Sequence, residues 1–491
     1  MMPIEFTPLK TQGVYSKIFI NETIQMCIKI NTEPLVHMEE ESEHFIDKIS
    51  IREAAALKKI GFHPNIITPK FISQRLPPEP EPRSVFLPTT DQPPLPSQSR
   101  LAIGMDRGAV SRRKKATDPI PSTAQIATFL CHIANGLAYA HAADIAHRDV
   151  KPDNIVQTPE GIYQLIDWGL AGLAASEKQS ECKKYVTRWY RPPELLDREL
   201  GKTDHRAADI WALAITTLEI FFNSTKLFAA TIHTQLATAI YLSKLTPFQL
   251  QSIFCTPDQG LADLLSQMMT RHPSSRITAQ QILAHPYLSQ YTPPPPPLPR
   301  RFAPPASREQ MPPGVRERMY EWLCGVWAYY RCDIRAIALF TAYEICDRYF
   351  DHVFETLTPF PSYQVIGCAS LSIADSLYDT WPLSHEDFVS VSGNFFTTDE
   401  LEQTILSISE ALDWNLYTPG VYLHWKTCVP DSNDIESIVS LAVLIANKAC
   451  FSPPQIIERF LHPTPIPGRF ALFPTLLKET DPSPTPTPLI F

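Results

Sequence analysis

The segment HRDVKPDN at residues 147–154 sets an aspartate, a lysine and an asparagine close together, and IDWGLA at 166–171 adds a second aspartate. Asp149 is a carboxylate able to accept the proton of an attacking hydroxyl, and Lys151 lies where an ammonium would face a phosphate in transfer. Asn154 and Asp167 offer an amide and a carboxylate oxygen, the hard donors that magnesium prefers. That set, in that order, suits phosphoryl transfer, in which the protein mainly positions groups and neutralises charge.

Such groups need a scaffold. At 491 residues with 44% hydrophobic side chains, the chain is too long for a single core. Residues 9–75 mix β-branched strands with a long amphipathic helix around 42–60. Residues 76–99 carry too much proline for a central strand or helix and read as an exposed insertion. Helix-rich sequence returns over 101–290. A proline run, YTPPPPPLPRRFAPPAS at 291–307, then marks the strongest boundary. Residues 313–462 show apolar spacing of three and four with hardly a strand signal, and 463–491 form a proline-rich tail. The expected organisation is therefore a domain over 1–290, a linker over 291–312, a helical domain over 313–462 and the tail.

The first domain resembles a protein kinase, an α+β bilobal fold. MCIK at 26–29 is similar to the third-strand lysine motif, which makes Lys29 the ligand of the ATP α and β phosphates. SIREAAALKK at 50–59 places Glu53 as its helical partner. TRWYRPPEL at 187–195 resembles the end of an activation segment, with Thr187 near the catalytic groups and Glu194 paired to Arg276. DIWALAI at 209–215 resembles the buried helix whose aspartate supports the catalytic loop. The resemblance implies ATP and Mg2+ as cofactors. Lys151 and Thr187 imply serine/threonine specificity, and WYRPPE implies the branch of cyclin-dependent and mitogen-activated kinases. Protein substrates with Ser/Thr-Pro sites follow from that branch. Within TQGVYS at 11–16, Gly13 is kept but Thr11 and Ser16 stand where glycines are usual, so weaker nucleotide binding is expected. Counting back from Thr187, Cys182 falls at the position where cyclin-dependent kinases carry an activating threonine.

In the helical half, VRERMYEWL at 315–323, AYEICDRYF at 342–350, CASLSIADSLYDTWP at 368–382 and ILSISEALDWNLYTP at 405–419 resemble a cyclin box in that order. The resemblance implies an all-α five-helix fold with a buried Arg316–Asp347 pair. Val315, Met319 and Trp322 match an apolar substrate-recruiting patch, or pack into the core at the same helical spacing. Asp375 and Ile405 stand where the family has a lysine and a glutamate that help contact the kinase. Ile51, Arg52 and Glu53 match the helix that cyclins grip, so an intramolecular contact through the 42–60 helix is expected. The linker of residues 291–312 could span roughly 70 Å as polyproline, giving an effective partner concentration of about millimolar.

A formal charge of −9 argues against a general nucleic-acid or anionic-membrane surface. The ten cysteines form no CxxC pair and read as reduced thiols, in keeping with an intracellular chain of nucleus or cytoplasm. SRRKK at 111–115 suits either a nuclear-import signal, a docking patch or a solvated loop. An external cyclin or kinase partner and a kinase-shaped scaffold with weak or no catalysis are the competing readings.

Overall fold

The computed structural model describes residues 7–8, 16–21, 26–31, 48–73, 102–106, 109–110, 122–174, 188–196, 204–222, 235–254, 256, 258–289, 291, 314–330, 334–353, 362–379 and 382–417, with 422, 425, 438, 441, 442 and 445. Gly13, Cys182 and Thr187 lie outside them. So does the 42–47 stretch of the helix expected from 42 to 60, which is described over Lys48–Ile60. The chain divides into two compact units. Residues 1–41 and 52–301 form the first, and residues 42–51 and 302–491 the second.

The first unit opens with strands β1 (Thr7–Pro8), β2 (Ser16–Asn21) and β3 (Met26–Asn31). Helix α1 (Lys48–Ile60) follows, then β4 (Pro69–Ser73) and β5 (Ala102–Asp106). The five strands make one antiparallel sheet in the order β1-β2-β3-β5-β4, and Lys29 pairs with Ile18 on one side and Ile103 on the other. A central strand flanked on both sides holds the lysine backbone rigidly. In α1, residues 50–57 are all buried, including Arg52 and Glu53. Ala54, Ala55 and Ala56, which follow them, are fully buried and allow close packing of the helix.

Helix α2 (Thr123–Ala142) starts from a reciprocal Ser122/Gln125 capping box and buries an apolar face against α4 (His205–Phe222) and β9 (Tyr163–Leu165). Strand β6 (Ala109–Val110) pairs with β8 (Ile155–Gln157), and β7 (Ile145–Ala146) with β10 (Gly172–Leu173). The chain after α1 is pinned to β9. Leu165 N–H donates to Asn65 O at 2.9 Å, and Ile67 N–H to Leu165 O at 2.9 Å. The end of α1 is thereby tied to the strand that leads into Asp167. Short helices α3 (Pro193–Leu196), α5 (Gln235–Leu242), α6 (Pro247–Phe254), α7 (Gln259–Met268) and α8 (Ala279–Leu283) complete the described part of this unit. Arg276 clamps Glu194 of α3 through two bonds of 2.7 and 2.9 Å, both side chains fully buried.

In the second unit, helices α9 (Val315–Tyr329), α10 (Ala336–Val353), α11 (Tyr363–Tyr378), α12 (His385–Val391) and α13 (Thr398–Ala411) pack around α11. Residues 364–378 of α11 are all buried, the polar Gln364, Ser370, Ser372, Asp375 and Ser376 among them, as the central helix of the bundle. Gly367 lets α9 approach, since a Cβ there would meet the Leu323 side chain at 3.3 Å. Arg316 donates to Asp347 from Nε and Nη2, both at 2.9 Å, so the pair sits where the resemblance placed it. Tyr320 and Tyr343 stack with centroids 4.0 Å apart, each hydroxyl donating to the other's carbonyl oxygen. Met319 is fully buried and Trp322 nearly so. Of the two readings of Val315, Met319 and Trp322, core packing is the one these two side chains follow. Asp375 and Ile405 are buried as well, and Asp375 Oδ2 accepts Leu383 N–H at 2.9 Å. Also within this unit, the Lys48 ammonium donates to the carbonyl oxygens of Pro382 and Leu383. Among the described residues no helix is long and apolar enough to cross a membrane.

Candidate active site

Residues far apart in sequence converge in the first unit. Lys29 Nζ of β3 lies 2.8 Å from Glu53 Oε2 of α1 and 2.6 Å from Asp167 Oδ1. Burial alone would lower the Lys29 ammonium. The two carboxylates, Asp167 before Glu53, outweigh it and hold the lysine above its ordinary range. Burial pushes the Glu53 carboxyl up against the opposing pull of Lys29. For Asp167 burial acts upward too, but Lys29 overrides it and the carboxyl ends below its ordinary value. A cation shared by two carboxylates in a partly dry site is thus charged in the folded chain, ready to meet an anion.

The catalytic loop is built around Asp149. Its Oδ2 accepts from Lys151 Nζ at 2.5 Å and from Asn154 Nδ2 at 2.9 Å, and its carbonyl accepts from the same Asn154 amide at 2.9 Å. With the amide nitrogen committed to Asp149, the oxygen end of Asn154 is turned away from it. His147 fixes the loop from both ring nitrogens: Nδ1 accepts Asp149 N–H at 3.3 Å and Nε2 lies 2.9 Å from Ile166 O. Asp209 of α4, 1% exposed, accepts the N–H of His147 and of Arg148, each at 2.8 Å, and the ring of His141 at 2.9 Å. Arg148 and Asp167 both hold positive φ, 66° and 63°, a backbone strain of about 1–3 kcal/mol each that the surrounding hydrogen bonds must sustain.

The donor set fits magnesium. Asn154 and Asp167 supply hard oxygens, with no sulfur or imidazole between them. Among the described residues no cluster of three His, Cys, Asp or Glu side chains forms a closed metal cage.

The structure thus brings together Lys29, Glu53, Asp149, Lys151, Asn154 and Asp167, all singled out in the sequence, while Gly13 and Thr187 lie outside the described residues. Three contacts had no sequence signal. Trp168 N–H donates to Glu53 Oε1 at 3.2 Å, Arg52 Nη1 to Gly169 O at 3.3 Å, and Arg148 Nη2 to Leu173 O at 2.6 Å. Their partners are main-chain groups, which every residue carries.

The family model "Protein kinase domain" matches residues 12–288, and "Cyclin, N-terminal domain" matches residues 297–417. Mitogen-activated protein kinase 6 of Arabidopsis thaliana is 33% identical over 186 residues, 33% of this chain and 46% of that protein. Cyclin-dependent kinase D-1 of Oryza sativa subsp. indica is 32% identical over 204 residues, 36% of this chain and 47% of that protein. Cyclin-dependent kinase D-1 of Arabidopsis thaliana is 33% identical over 198 residues, 36% and 49%. The chain spans about half the length of these curated relatives. The solved structure of a CAK complex from Chaetomium thermophilum bound to ATP-gamma-S matches with a TM-score of 0.46 at 19% identity, over 60% of this chain and 92% of that one.

Proposed function

The chain belongs to the protein kinase family, and from that premise we propose that it transfers the γ-phosphoryl group of ATP to serine or threonine followed by proline in protein substrates. The convergence of Lys29, Glu53 and Asp167 beside Asp149, Lys151 and Asn154 carries this reading. Lys29 would hold the α and β phosphates, with Glu53 keeping it oriented. Asp149 would take the hydroxyl proton, and Lys151 would neutralise the phosphate in transfer. Asn154 and Asp167 would hold magnesium, which when bound offsets the negative charge of the phosphates. Thr187 and Gly13 are assigned near the catalytic groups and the phosphates from the resemblance alone.

The cyclin-like domain, in this reading, activates the kinase in cis by setting α1. What supports it is that residues 42–51, which take in the first turn of α1, group with 302–491 in the second unit, and that Lys48 donates to carbonyls of Pro382 and Leu383. A grip on that first turn would be transmitted along one rigid helix to Glu53, little more than a turn away.

The test is magnesium-dependent transfer of radiolabelled phosphate from ATP to a Ser-Pro peptide. It compares the full chain, its Asp167→Asn and Lys48→Met variants, and residues 1–290. Transfer by the full chain that vanishes with Asp167→Asn and falls sharply in the other two supports both parts. Equal transfer by residues 1–290 sinks activation in cis and reassigns the helical domain to recruiting a substrate. No transfer from any of them, even at high ATP, replaces the kinase reading with a scaffold.

A further inference from the structure

Lys48 is only 6% exposed, and a lysine is almost never so buried unless hydrogen bonds and an opposite charge meet its ammonium. It opens α1, and residues 42–51 belong to the second compact unit. Within that unit Lys48 Nζ donates to Pro382 O at 3.4 Å and to Leu383 O. Ser50 and Ile51 of the same turn are buried too.

The two carbonyls are fixed from behind. Asp375 of α11 accepts Leu383 N–H at 2.9 Å through Oδ2, and Asp387 Oδ2 accepts Ser384 N–H at 2.9 Å. Asp375 and Lys48 thus take the two ends of one residue, the carboxylate its N–H and the ammonium its oxygen. That keeps the charges within roughly 10 Å of each other, close enough to attract where water is excluded. Asp379, also buried, caps the same helix, its N–H donating to Asp375 O at 2.8 Å. Carboxylates at a helix C-terminus oppose the dipole, whose negative end lies there, and α11 has no basic residue in its last turn. The end of α11 therefore calls for a cation from elsewhere in the chain, and Lys48 brings one to a carbonyl whose residue Asp375 holds.

We propose that the acidic end of α11 and the 382–383 carbonyls form an ammonium socket for Lys48, by which the helical domain selects the first turn of its own chain's α1 and refuses a helix without a lysine there. The proposal rests on activation in cis and names its specificity determinant. Selection of this kind works by repulsion as well as attraction. Its charge sense is opposite to that of the lysine which the resemblance places at position 375, so a helical domain carrying that lysine would set a cation against Lys48.

The test labels lysines of the full chain briefly with acetic anhydride, reads each position by mass spectrometry, and follows transfer to a Ser-Pro peptide in parallel. Lys48 should be labelled about tenfold or more slower than the exposed Lys244. Asp375→Asn keeps an acceptor for Leu383 N–H and removes the charge, so the carbonyls stay in place. It should speed labelling of Lys48 several-fold and lower transfer about tenfold. Lys48→Met should lower transfer at least as much, and the double variant should be no worse than Lys48→Met, since the carboxylate has no cation left to hold. Asp375→Lys sets two cations together and should depress transfer further than Asp375→Asn, with part recovered by adding Lys48→Glu. If Asp375→Lys fails to fold, the Lys48→Met and Asp375→Asn cycle decides alone. Labelling of Lys48 at the rate of Lys244, labelling that Asp375→Asn leaves unchanged, or losses that add in the double variant would each overturn the proposal. Slow labelling that Asp375→Asn relieves, with transfer unchanged, would refute activation in cis and leave the socket standing.

Discussion

Replacing Glu53 by glutamine keeps the shape of the side chain and removes one acceptor. Glu53 is fully buried, with Oε2 on Lys29 Nζ at 2.8 Å and Oε1 on Trp168 N–H at 3.2 Å. Both partners are donors. A carboxylate satisfies both, whereas an amide has one oxygen and one NH2, so in either flip a donor faces a donor. A lost hydrogen bond to a charged group is worth about 1.5–3 kcal/mol, which is about 10- to 150-fold in rate if the bond is needed in the transition state. Lys29 stays paired to Asp167 at 2.6 Å, so the variant should fold. Removing a buried carboxylate, which burial already disfavours, also relieves part of its desolvation cost. Glu53→Gln should therefore lower kcat/KM for peptide phosphorylation by about 10- to 100-fold, with the thermal unfolding midpoint shifted by no more than a few degrees. Steady-state transfer at varied ATP, with unfolding followed in parallel, reads both quantities. An unchanged kcat/KM would refute the bridging role of Glu53. A collapse of the unfolding midpoint would show that the residue acts only through stability.

Asp209→Asn leaves one of the two catalytic-loop donors, His147 N–H or Arg148 N–H, facing an amide NH2, so transfer should fall about tenfold or more while peptide binding, read by KM, changes little. In the second unit, Asp347→Asn strips Arg316 of its counter-charge and should destabilise by about 3–5 kcal/mol. The Arg316→Met/Asp347→Leu double variant should recover much of that loss in the same urea titration. Met319→Ala should cost about 2–5 kcal/mol through a core cavity, and unchanged stability with weakened substrate binding would instead restore the recruiting patch. His63 is buried, its Nδ1 accepts Asn65 N–H, and burial lowers its pKa from 6.5 to about 4. The unfolded chain takes up this proton first. Stability from His63 is thus present above pH 6.5, falls as pH drops towards about 4, and totals about 3 kcal/mol. His63→Phe should flatten that part of the pH profile of urea unfolding, and an unchanged slope would refute it.

The sequence by itself carried the chemistry of the site and the character of its elements. Asp149, Lys151, Asn154 and Asp167 are legible because proton transfer and magnesium binding demand particular side-chain types at short spacing. The capping pairs Ser122/Gln125, Ser384/Asp387 and Thr397/Glu400 are local in the same way, and the apolar spacing of 313–462 announces helices that need a common core. Tertiary structure decided what depends on distant partners. Arg52 and Arg148 belong to motifs legible in the sequence, but their acceptors, Gly169 O and Leu173 O, are seen only in the fold. Met319 and Trp322 suit a recruiting patch as well as a core, and only packing buries them. The Tyr320–Tyr343 stack joins two helices by hydroxyls that donate to backbone oxygen. The physical reason is common to all three. A main-chain carbonyl is the same at every residue and an apolar stripe is the same whatever covers it, so neither is written in residue identity until the fold brings the partner within reach.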